Sequence, residues 1–147
     1  MSLKEILAND LKTAMKEKDV IRKNTVQMVR SAVLQYEKDN LTELDEAGVL
    51  EIIAKELKKR KDVLPEYEKS GREDLISDIN KEIEVLLAYL PEQLSEEELE
   101  EIVKESIKEV GAESLKDIGK IMQNVMPKTK GRADGKLINT IVRKLLS

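Results

Sequence analysis

Apolar residues recur along this chain at three- and four-residue spacings, so every segment that can be assigned has a helical period. The first stripe is Leu3, Ile6, Leu7, Leu11 and Ala14, entered through Ser2-Leu3-Lys4-Glu5, the spacing of a capping box. Asp19 predicts the cap of a second helix reaching to about Glu37. Val26, Val29 and Val33 line one face of it, and Ile21, Met28 and Ala32 widen that face. Asp39-Asn40 breaks the pattern. Asp45 predicts the cap of a third helix through Val49, Ile53, Leu57, Leu64 and Tyr67. Pro65 falls inside it and is expected to kink the helix or end its first part near Leu64. After a turn at Ser70-Gly71, Leu75, Ile79, Ile83, Leu86 and Leu90 form a near-heptad seam suited to antiparallel neighbours.

Pro91 marks the expected boundary. Beyond it, Ser95 and Glu98 form a second capping box, and Leu99, Ile102, Val103 and Val110 carry the next helix to Gly111. Ser114 and Asp117 have the spacing of a third box, opening a short helix with Ile118, Ile121, Met122 and Val125 that Pro127 should close. Asp134 can cap a final helix with Leu137, Ile138, Ile141, Val142 and Leu145. The expected fold is all-α: a scaffold of about four helices over residues 1–91, then a small three-helix domain over residues 92–147.

Composition narrows the chemistry. Of 147 residues, 38 % are charged, against the roughly 25 % usual in soluble domains. There is no Cys and no His, which excludes disulfides, thiol nucleophiles, histidine triads and ordinary zinc sites. The serines fall mostly at caps and turns, outside any nucleophile elbow. No Walker loop, dinucleotide fingerprint or EF-hand spacing appears. The glutamates at 96–101 crowd a solvated first helical turn, where nothing raises a carboxyl pKa for acid–base work. No catalytic residue, metal or cofactor is therefore expected. The start, MSLKEILANDLK, is amphipathic and carries acidic residues, unlike a signal peptide. No stretch is apolar enough to span a membrane. These features set the expectation of a cytoplasmic protein without a membrane partner.

The net charge of −4 hides an asymmetry. Residues 92–113 hold nine glutamates against Lys104 and Lys108, whereas residues 114–147 hold eight cations against Asp117 and Asp134, a net of +6. Such segregation hints at an anionic partner. Within the basic part, Lys128, Lys130, Arg132 and Lys136 lie on KTKGRADGK, a loop leading into a helix start. Gly131 and Gly135 would let backbone approach a ligand, and free N–H groups at that helix start would favour an anion. Lys120 and Arg143 could extend the patch. The residues alone leave two readings open, a phosphate grip or a solvated loop. No aromatic residue follows Tyr89, so base stacking is not on offer there, and RNA would be read through phosphates and folded shape. The run Lys58-Lys59-Arg60-Lys61 spreads around its helix and reads either as a solvated face or as a contribution to an anionic partner.

The strings ELKKRKDVLPEYEKSGREDL, LLAYLPEQLSEEELEEIV and SLKDIGKIMQNVMPKTKGRADGKLINTIV together resemble the YqeY family over essentially the whole chain. In that family the C-terminal part is similar to the tail domain of one subunit of the tRNA-dependent Asp/Glu amidotransferase, a domain that contacts tRNA. The matching positions are Gly119-Lys120-Ile121-Met122 and Lys130-Gly131-Arg132-Ala133-Asp134. The resemblance implies an all-helical fold. It also implies binding of tRNA or another structured RNA, or association with an amidotransferase or aminoacylation complex. The candidate RNA contacts are Lys120, Lys128, Lys130, Gly131, Arg132, Gly135, Lys136 and Arg143. Two other readings stand beside it: a protein-interaction adaptor, and a component of a carbon–nitrogen ligase with glutamine as amide donor. The residues for amidation and glutamine hydrolysis lie in other parts of that enzyme, so the ligase activity does not travel with the fragment.

Overall fold

The computed structural model describes residues 1–146, and among them the regular structure is helical throughout. The chain divides into two compact units, Met1–Leu90 and the part from Pro91 onward. The first unit contains α1 (Leu3–Lys16), α2 (Val20–Asn40), α3 (Glu46–Ser70) and α4 (Glu73–Leu87). Its core joins Leu7 of α1, Val26, Val29 and Val33 of α2, Val49, Ile53 and Leu57 of α3, and Leu86 of α4. These are the stripes that the period predicts. The hydroxyl or carboxylate of Ser2, Asp19 and Asp45 accepts a first-turn N–H in each of the first three helices. The fourth starts at Arg72 with no side-chain cap.

Polar ties to α3 and to Tyr89, beyond the end of α4, help hold α1 in place. The backbone N–H of Leu3 donates to Glu46 Oε1 at 2.9 Å, fastening the start of α1 to the start of α3. The Tyr89 hydroxyl donates to the Asp10 carboxylate, which also pairs with Arg22 at 3.4 Å. Burial first, then the hydrogen bond to Asp10 and the Asp10 charge, push the Tyr89 phenol above its ordinary pKa.

Of the two expected effects of Pro65, ending the helix does not occur: α3 runs on to Ser70. The ring removes the hydrogen bond to the carbonyl of Lys61, but both residues are exposed and water can serve that carbonyl. Helix α2 also outruns its expected end, continuing to Asn40 before Leu41 turns left-handed at φ 51°. The basic run on α3 is not a uniformly solvated face either. Arg60 is only 7 % exposed and Glu56 only 5 %, and the two sit in one ionic network with Glu82.

The second unit contains α5 (Glu96–Val110), a 3₁₀ turn (Leu115–Asp117), α6 (Ile118–Thr129) and α7 (Gly135–Leu146). Helix α5 begins with a complete reciprocal capping box between Ser95 and Glu98. Ser114 caps the 3₁₀ turn, while the Asp117 carboxylate reaches back to the Glu113 N–H instead of closing a box with Ser114. Leu99, Val103, Ile121, Val125, Ile138, Ile141 and Val142 make a separate core. Pro127 lies within α6 rather than closing it. It frees only the carbonyl of exposed Gln123, and two further residues continue the helix.

Candidate nucleic-acid interface

The α6–α7 connection is a short loop, residues 130–134, sewn to the segment that leads into α5. Gly131 adopts φ +74°, a left-handed conformation that favours glycine. Its carbonyl accepts from Gln93 Nε2 at 2.7 Å. The Arg132 N–H turns back to the Thr129 carbonyl at 2.8 Å, and the Arg132 carbonyl accepts from the Leu94 N–H at 2.9 Å. The Arg132 guanidinium donates through Nε to the Glu92 carbonyl at 3.3 Å. An alanine Cβ at 131 would meet only Pro91, at 3.7 Å, so backbone conformation and not crowding demands the glycine. Gly131→Ala is expected to cost about 1 to 2 kcal/mol, measured as a lower midpoint in urea.

The structure sorts the eight candidate residues. Lys130, Gly131, Arg132, Gly135 and Lys136 gather at the loop and the start of α7. Lys136, Thr140 and Arg143 follow one another along the exposed face of α7, about 10 Å from first to last at 1.5 Å per residue. Lys120 is exposed near the start of α6, about 15 Å along the axis from Lys130. Lys128 turns away toward α5. Its ammonium donates to Glu109 Oε2 at 3.0 Å and to the buried Ser106 hydroxyl at 3.3 Å. That bond, then one with Asn124, holds the Glu109 carboxyl below its ordinary pKa. A depressed folded-state value means that this latch contributes above the unfolded pKa and is lost as pH falls through the folded one.

At the start of α7, Asp134 Oδ1 accepts from the Lys136 N–H at 3.0 Å, so a carboxylate already serves one of the N–H groups there. Gly135 is the first residue of α7 and shows no positive φ, so the backbone conformation there does not itself require a glycine. The partners that occupy Lys128 and Arg132 lie between 19 and 40 residues away and were not foreseen. One signal was available: Ser106 sits seven residues after Leu99, a small polar residue on the apolar stripe of α5.

What remains is a separation of charge inside one small unit. The glutamates crowd α5, whereas from Ile118 to Leu146 the cations 120, 128, 130, 132, 136, 143 and 144 face a single acidic residue, Asp134. Exposed Lys120, Lys130, Lys136 and Arg143 are spread over the α6–α7 hairpin rather than focused in a pocket. That arrangement suits an extended polyanion.

A family model described as Yqey-like protein matches residues 4–146. Among curated proteins, the chain is similar to several named "Altered inheritance of mitochondria protein 41, mitochondrial". That of Kluyveromyces lactis is 39 % identical over 84 residues, covering 56 % of this chain and 45 % of the relative. That of Lachancea thermotolerans is 36 % identical over 85 residues, covering 57 % and 46 %. That of Pyrenophora tritici-repentis is 26 % identical over 143 residues, covering 95 % and 78 %. In the first two the match spans about half the length of the relative. These names overturn the cytoplasmic expectation, since the relatives are called mitochondrial. A chain without cysteine carries no redox signature, so its composition cannot separate one compartment from another.

Proposed function

The chain belongs to the YqeY family, and from that premise we propose that its second unit binds structured RNA, tRNA above all, as an accessory protein without chemistry of its own. The observation that carries this reading is the charge separation just described: a hairpin of α6 and α7 with one acidic residue among its cations, set beside a helix that takes the glutamates. Lys120, Lys130, Lys136 and Arg143 would contact phosphates. Lys128 and Arg132 would act mainly as braces, holding α6 to α5 and the loop to residues 92–94. The likeness to the amidotransferase tail domain makes tRNA the first RNA to test, and the relatives' names make mitochondrial tRNA the pool to set beside bulk tRNA.

The test is binding of the full chain to tRNA across a salt series. The log of the affinity should fall linearly with log salt, because each neutralised phosphate releases counterions. Charge reversal at Lys120, Lys136 and Arg143 together should flatten the slope by roughly one unit per lost contact. Lys128→Gln should leave it nearly unchanged. A wild type that does not bind at low salt, or a slope insensitive to the triple reversal, would refute the reading.

A further inference from the structure

The first unit carries a feature that the RNA reading does not use. Along α2, Val20, Lys23, Gln27, Arg30, Leu34 and Lys38 recur at spacings of three and four, one line on the helix surface. It extends over most of a helix about 31 Å long. Val20 is 59 % exposed and Leu34 is 63 % exposed, about 21 Å apart along the helix with Lys23, Gln27 and Arg30 between them. The stripe contains no acidic residue. Lys23, Arg30 and Lys38 form no ion pair with any described residue. The nearby carboxylate, Glu37, is already spent: Lys4 donates to it at 2.5 Å and the Leu44 N–H at 2.7 Å.

Beside the stripe, α1 and α2 enclose a small cleft of about 90 Å³, lined by Leu7, Val33 and Leu34 below and by Lys4, Arg30 and Glu37 at the rim. It is large enough for one anchoring side chain. Arg30 is half-buried there without a partner among the described residues, a guanidinium positioned for a carboxylate that they do not supply. Exposed Met15 adds apolar surface on α1.

We infer that the α1–α2 face docks an acidic amphipathic helix of a partner protein, with one aliphatic side chain seated between Leu7, Val33 and Leu34 and glutamates or aspartates meeting Arg30, Lys23 and Lys38. The charge pattern selects the sign of the partner. The apolar cleft at Leu7, Val33 and Leu34 beside exposed Leu34 selects an amphipathic helix over a bare polyanion. The cleft would act as the central anchor point within a charged rim. This inference concerns the first unit alone and does not rest on RNA binding by the second.

The test uses the isotope-labelled full chain and a designed helical 20-mer with leucines at alternating three- and four-residue spacing flanked by glutamates. A second peptide replaces every glutamate with lysine. The acidic peptide should shift the amide signals of Leu7, Gln27, Arg30 and Leu34 and leave those of α6 and α7 in place. Arg30→Glu should weaken it about tenfold or more without changing the melting temperature, and Leu34→Gln should weaken it independently of charge. Equal binding of both peptides, or of neither, overturns the inference. So does stronger perturbation of the same amides by vesicles of phosphatidylserine and phosphatidylcholine, or by tRNA.

Discussion

Leu99→Ala is expected to unfold the second unit while the first stays folded. Leu99 has no exposed surface and sits with Val103, Ile121, Val125, Ile138, Ile141 and Val142 in a core that contains no aromatic ring. Truncating a buried leucine costs about 3 kcal/mol, from lost transfer free energy and from the cavity left behind. A unit of this size has a total stability of roughly 3 to 8 kcal/mol by the usual per-residue figure. The substitution therefore removes most or all of it for a stability in the lower half of that range. Amide spectra should show collapse of the signals from α5, α6 and α7 with those of α1 to α4 retained, and tRNA binding should disappear with them. Loss of both sets of signals together would show that the units unfold as one.

Arg60→Ala should cost about 3 kcal/mol, far more than an ordinary surface arginine. Its Nη1 donates to the Glu56 carbonyl at 2.9 Å, its Nε to Glu82 Oε1 at 3.4 Å, and its Nη2 contacts Met28 Sδ at 3.4 Å. Glu56 Oε2 is buried without a directional hydrogen bond. It depends on charge alone, with Lys59 3.1 Å away and Arg60 3.9 Å away. Removing the guanidinium leaves that carboxylate in a poorly solvated place with one flexible counterion. Replacing both members, Glu56→Leu with Arg60→Met, should instead be close to neutral or stabilising by ~1 kcal/mol, because the desolvation of both charges is then avoided. Calorimetry on the single and double variants checks this. A double variant as damaged as Arg60→Ala would mean that the pair contributes shape rather than charge.

The contrast between these positions explains what the sequence reveals and what it conceals. Helix type, the apolar stripes and most caps follow from local chemistry, and Val26, Val29 and Val33 or Leu99 and Val103 lie where the period puts them. Neither proline ends its helix, because the penalty depends on where the freed carbonyl points. At Lys61 and Gln123 it lies on exposed turns, so both helices continue. Arg60 misleads because four consecutive cations read as one surface, although a helix places one of every four toward its neighbours. The candidate site was legible as charge and as a loop. Its wiring was not, since Arg132 and Lys128 are held by Glu92, Ser106 and Glu109, which only the fold brings near.

The tie between Tyr89 and Asp10 has an optical consequence. Tyr36, Tyr67 and Tyr89 are the chain's aromatic residues, and all three belong to the first unit. Of these, Tyr89 hydrogen-bonds a carboxylate, an arrangement that quenches tyrosine emission and is lost on unfolding. Fluorescence therefore follows the first unit and is blind to the second, whereas far-ultraviolet ellipticity counts the helices of both. Recorded together on one unmodified sample, the two signals divide a melting curve between the units, with the RNA-binding candidate appearing as the part of the helical signal that tyrosine does not see.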